Sequence, residues 1–188
     1  MKNYNFHLDN RDVEICRKLE RPILGYGMDE VASNIYSAIY LSTKDTVFKF
    51  SATHFELEDD SEYFGLSVNQ LNDGWDKISY PIDWAEEQNE IFVLVRSEGL
   101  FPDGSFKDTS TIGVPRSIQK TLIEKHPYEK PISVCNVACG IRVVNSDNSQ
   151  LLLYADTLPF SLCLVLGETD VQEDLKFFSQ IPLEKYNY

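Results

Sequence analysis

Two segments of this chain read as β-hairpins, and together they commit it to an antiparallel sheet. SAIYLSTKDTVFKFS (residues 37–51) sets two apolar, aromatic-rich arms around the polar loop Ser42–Thr46. GIRVVNSDNSQLLLYA (residues 140–155) repeats the form around Asn145–Gln150, where Asn, Ser and Asp supply turn chemistry. Between them, NDGW and FPDGSF mark further turns, and Ile91–Val95 (IFVLV) has the continuous apolar character of a buried strand. NYNFHLD and RDVEICRKLE near the N-terminus read as additional strands. Asp29–Leu41 fits either a strand or, through Val31, Ile35 and Ala38, a helix.

Two helices are expected. One begins after Pro115, with Ile118 and Leu122 on one face, and stops before Pro127. The other opens on Thr169 and Gln172 as a capping box, carries Val171, Leu175 and Phe178 as its apolar stripe, and is ended by Pro182. The expected class is α+β: a mostly antiparallel β-sheet, as a sandwich or a strongly curved sheet, with two or three peripheral helices. A chain of 188 residues makes one globular domain at this length, residues 1–188. With 43% hydrophobic residues it can bury a core without staples.

The opening MKNYNFHLDN has no apolar run behind its lysine and does not read as a secretory signal. Apolar stretches such as Ile91–Val95 fall far short of the roughly 20 residues a membrane helix needs. No membrane partner is expected, and the compartment expected is the cytoplasm. Cys16, Cys135, Cys139 and Cys163 each sit among apolar neighbours, so they read as buried reduced thiols rather than a disulfide framework.

Charge is the second strong feature. The net charge is −13, and it is concentrated: from Glu56 to Glu90 there are eleven acids and one base, Lys77. The other 153 residues are nearly balanced. Such a surface repels nucleic acid and attracts a basic protein or a cation. If residues 54–62 are extended, His54, Glu56, Glu58, Asp60 and Glu62 share one face while Phe55 and Leu57 share the other. Phe48, Phe50 and Ala52 have the parity of the acids, so a bulge or bend is expected near residues 52–55.

A metal centre is a poor fit. Acids two apart on a strand stand ~6.6 Å apart in line and fan along a face, whereas calcium needs six to eight converging oxygens. No cofactor is expected either. Gly25–Glu30 (GYGMDE) lacks the third glycine of a dinucleotide loop, and GLSVN lacks the closing glycine of a nucleophile elbow. His7, His54 and His126 fall in no catalytic pattern. Cys135 and Cys139 on a strand would share a face ~13 Å apart, too far for a disulfide or a shared zinc, although Cys163 could approach either across a sheet.

A docking role is the leading expectation: a non-catalytic, acidic protein-binding domain, such as an inhibitor or immunity-type protein that covers a basic partner. The contact residues expected are Glu56, Glu58, Asp59, Asp60, Glu62, Asp73, Trp75, Asp76, Asp83, Trp84, Glu86 and Glu87. Trp75 and Trp84 have a competing role as core anchors. The rival class is a small-molecule binding protein or hydrolase with an aromatic pocket, using Asp73, Asp76 or Asp83 as acid–base groups.

Overall fold

The computed structural model describes residues 2–32, 35–56, 62–84, 87–100, 106–108, 133–156, 158 and 160–186. The N-terminal strand β1 (Lys2–Phe6) leads into helix α1 (Asn10–Cys16), which runs on as a 3-10 turn over Arg17–Glu20. Four long strands follow: β2 (Gly25–Ala32), β3 (Ile35–Ser42), β4 (Val47–Glu56) and β5 (Glu62–Leu71). A 3-10 turn at Trp75–Lys77 and the short β6 (Tyr80–Pro81) connect to β7 (Glu90–Leu100) and β8 (Phe106–Asp108). Then come β9 (Ser133–Val144), β10 (Gln150–Ala155), β11 (Leu162–Leu166), helix α2 (Glu168–Asp174), β12 (Ser179–Pro182) and a last 3-10 turn, Leu183–Lys185.

The strands form one mostly antiparallel open sheet in the order β12-β7-β9-β10-β11-β3-β2-β6. The hairpin β4–β5 branches from β3, β8 pairs with β7, and β1 runs parallel to β9. Strand β5 also lies against β9 and β10. Both hairpins read from the sequence are present, β3–β4 and β9–β10. In the second, Asn145 Oδ1 accepts from Asp147 N at 3.3 Å and Asp147 Oδ1 accepts from Ser149 N at 2.7 Å, so the side chains close the turn themselves. The described residues of Asp29–Leu41, which are 29–32 and 35–41, belong to strands β2 and β3 and not to a helix.

Three expectations are corrected. RDVEICRKLE is helical: Asp9 caps α1 by accepting from Asp12 N at 2.7 Å, and the fully buried Val13, Cys16 and Leu19 recur every three residues. The Asp-Val-Glu-Ile alternation imitates a strand only over four residues. The bulge near 52–55 is absent: β4 and β5 pair in unbroken register from Val47–Leu71 to Glu56–Glu62. Cover changes along the strand instead. Phe48 and Phe50 fill the core at one end, while on the opposite face at the far end Phe55 stacks on Phe6 at 4.5 Å. The capping box does not form either. Gly167, at φ +97°, occupies the N-cap of α2 with no side-chain cap, and Glu168 and Asp170 meet the positive helix end. The stripe Val171, Leu175 and Phe178 is buried as expected, and Tyr154 Oη donates to Asp174 Oδ2 at 2.8 Å to hold the helix on β10. The segment expected to be helical after Pro115 lies outside the described residues.

Among the described residues the core holds one large cation. Arg96 on β7 is 1% exposed, and its guanidinium donates to Ala155 O at 3.2 Å and Phe64 O at 3.4 Å. It thereby ties β7 to β10 and to β5.

No disulfide joins the cysteines; Cys16, Cys135 and Cys139 are buried and Cys163 is half-buried. Cys139 occupies a bulge of β9 between the Ala138 and Gly140 pairings, with its Sγ 3.6 Å from Leu94 O. Burial pushes the Cys163 thiol up to about 12 and raises Cys16 as well. Ellman's reagent at pH 8 should therefore find no thiol reacting within seconds until the protein is unfolded. A fast thiol in the native state would contradict this burial.

Candidate binding surface

Among the described residues, the acids that flank the β4–β5 hairpin lie at its two opposite ends. Glu56 and Glu62 face each other at the end of the β4–β5 hairpin where the two strands are connected, and His54 Nε2 lies 3.6 Å from Glu62 Oε1. Like charges set directly opposite cost stability, so this end is not arranged for packing. Glu58, Asp59, Asp60 and Glu86 fall outside the described residues. Asp73, Trp75 and Asp76 stand at the other end of the hairpin, about 30 Å away at ~3.3 Å per residue.

From that end the chain crosses back over β2 as a strap, residues 72–84. Gly74 makes the corner at φ +148°, a conformation glycine tolerates and other residues rarely adopt. Its N–H donates to Asp73 Oδ1 at 2.8 Å, so Asp73 is shaped by the turn it sits in. Ser79 N donates to Tyr26 O at 3.0 Å and Ile82 N to Leu24 O at 2.9 Å, lacing the strap to β2. The contact is close enough to explain the GYG of β2: a Cβ on Gly27 would stand 1.8 Å from Lys77 O. The glycines that resembled the start of a nucleotide loop are there to let a second chain segment lie on the strand.

Asp29 pins the strap from below. Its Oδ2 accepts from Tyr40 Oη at 2.7 Å and its Oδ1 from Lys77 Nζ at 3.2 Å. Lys77 also sits over the Tyr40 ring, 5.7 Å from its centroid. The tyrosine hydrogen bond, against the opposing effect of burial and with help from Lys77, holds the Asp29 carboxyl below its ordinary value of 3.8. Burial, then the hydrogen bond to Asp29, pushes Tyr40 up to about 12. A carboxyl lowered on folding contributes stability above its unfolded value and loses it as the pH falls through the folded one. Acid titration of native Trp75 fluorescence should therefore show the strap loosening below pH 3.8, and Asp29→Asn should abolish that transition. An unchanged acid transition in the variant would remove Asp29 from this role.

The pinning has a consequence for charge. Lys77, the one base between Glu56 and Glu90, pairs with Asp29 and lines one basin with Asp73 and Asp76, the two exposed acids that flank Trp75 in the chain. Lys49 shares a shallow basin with these two acids. Trp75 is 47% exposed, so it is no core anchor. Tyr80, exposed and stacked on Tyr26 at 5.0 Å, extends the aromatic strip along the strap. Trp84 differs: it is half-buried and packs on the core beside Ile82. Asp83 and Trp84 line a groove of about 530 Å³ with Tyr26, Asp147, Gln150 and Glu168. Glu87 is exposed beyond it.

Asp29, Tyr40 and Tyr80 were not among the expected site residues. The available signal was the lone Lys77, whose natural partner lies outside the acidic run. Among the described residues no group of three or more His, Cys, Asp or Glu could hold a metal ion, and no helix is long and apolar enough to cross a membrane. No protein-family model, curated protein or solved structure matches this chain.

Proposed function

We propose that this chain is a non-catalytic docking domain that binds a basic protein, in the manner of an inhibitor or immunity-type protein, through the outer face of the strap. One observation carries the reading: Trp75 is held nearly half exposed between two carboxylates on backbone laced to a core strand. An exposed indole on a fixed support is the ordinary anchor of a protein interface, and flanking charge steers a partner of opposite sign. Asp73, Trp75, Asp76, Tyr80 and Asp83 form the contact surface in this reading. Glu56 and Glu62 at the far end of the hairpin add to the long-range field without touching the same partner surface. The sheet is taken as strongly curved, with β5 laid across β9 and β10, which makes the strap end a rigid platform.

The groove beside Trp84 supports a second reading, a small-molecule or hydrolase site, because Asp83, Asp147 and Glu168 share it with Tyr26. Affinity capture from lysate of the source organism, washed at low and high salt, separates the two. Docking requires a stoichiometric basic protein whose retention falls as salt rises. If nothing basic is enriched, the groove becomes the better candidate.

A further inference from the structure

A different part of the molecule carries its own site. Asn5, Asn136 and Ser97 sit in one row across β1, β9 and β7, joined by Ser97 Oγ donating to Asn136 Oδ1 at 2.7 Å and Asn136 Nδ2 donating to Asn5 Oδ1 at 2.8 Å. Above the row, Phe6, Val95, Ala138 and Ile181 make an apolar floor, and the whole encloses a groove of about 370 Å³. That is within the range of small-molecule sites.

Two basic side chains, His7 and Lys185, line the groove, and among the described residues no carboxylate does. The chain has 30 acids against 17 bases, and two other grooves among the described residues are lined by acids and no base: Glu20, Glu90 and Glu184 in one, Asp83, Asp147 and Glu168 in another. An anion is thus repelled from those and admitted here. The Tyr186 hydroxyl accepts from Leu8 N at 3.1 Å and lies 3.3 Å from His7 Nδ1, a hydrogen bond whose direction follows the imidazole tautomer. This contact orients the His7 ring at the groove. Lys185 Nζ is 3.9 Å from Glu184 Oε1, but both side chains are well exposed and such a pair contributes little.

We propose that this groove binds a small organic monocarboxylate with an apolar body. One ammonium and one imidazole match a single carboxylate, with the apolar floor taking the rest of the molecule. A phosphate dianion would call for more positive charge than the groove offers. This site is separate from the docking surface, and neither depends on the other.

The test uses phenylacetate, its neutral isostere phenylacetamide and inorganic phosphate as probes on the full chain, read by calorimetry and by NMR shifts. Phenylacetate should bind saturably, moving resonances of His7, Ser97 and Tyr186. Phenylacetamide and phosphate should each bind at least ~10-fold more weakly. Lys185→Ala should weaken phenylacetate by a similar factor while leaving the unfolding temperature in place, since Lys185 is exposed. Equal binding of acid and amide, shifts that map elsewhere, or no saturation by about 20 mM phenylacetate would overturn the assignment.

Discussion

Arg96→Ala is expected to lower stability by about 3–5 kcal/mol, the sum of the cavity left by a large buried side chain and of two buried carbonyls losing their donor. Arg96 spans the core, so truncation removes the donors to Ala155 O and Phe64 O and leaves a void as well. Arg96→Met restores most of the volume but none of the donors, and should fall between alanine and the native protein. Urea unfolding followed by circular dichroism checks both, with the slope of the transition unchanged if the fold is kept. A loss below about 1 kcal/mol for alanine would mean that β5 and β10 are held to β7 by packing alone.

The largest effect on binding is expected at Trp75. Trp75→Ala should weaken the basic partner by about 2–4 kcal/mol, roughly 30- to 1,000-fold, as truncating a central interface anchor does. The loss should appear as faster dissociation, because the indole acts after encounter. Charge reversal at Asp73 and Asp76 acts earlier, slowing association by about tenfold or more and flattening its dependence on salt. Because Trp75 is 47% exposed, neither change should move the unfolding free energy by more than about 0.5 kcal/mol. Surface plasmon resonance at two ionic strengths separates the two effects. If Trp75→Ala leaves dissociation unchanged, the strap is not the contact face.

The sheet was legible where turn chemistry and alternation agree. Asn145 to Ser149 name their own turn, and the arms on each side alternate cleanly, so β9–β10 could be read without a structure. It failed where a short alternation hid a helical period, as in Asp12–Ile15, because four residues cannot distinguish the two. The bulge was inferred from one strand in isolation. Which face of β4 is covered depends on β1, a strand more than forty residues earlier, and no local pattern reports that.

The candidate surface was half legible. Composition identified the acidic stretch, but linear density is not surface density: the extended β4–β5 hairpin separates Glu56 and Glu62 from Asp73 and Asp76. Sequence left Trp75 and Trp84 as alternatives between core and contact. The strap resolves them in opposite directions, because Gly74 turns Trp75 outward and the path after β6 brings Trp84 back to the core. The two glycines of β2 became interpretable only once Lys77 O was seen against Gly27.

The most direct test sets two baits side by side in the same lysate: the native chain and the Asp73→Lys/Asp76→Lys variant, each checked for native circular dichroism. The docking reading predicts one basic protein retained stoichiometrically by the native chain at low salt, released at high salt and missing from the variant. A basic protein retained equally by both baits, or none retained by the native chain, would contradict it.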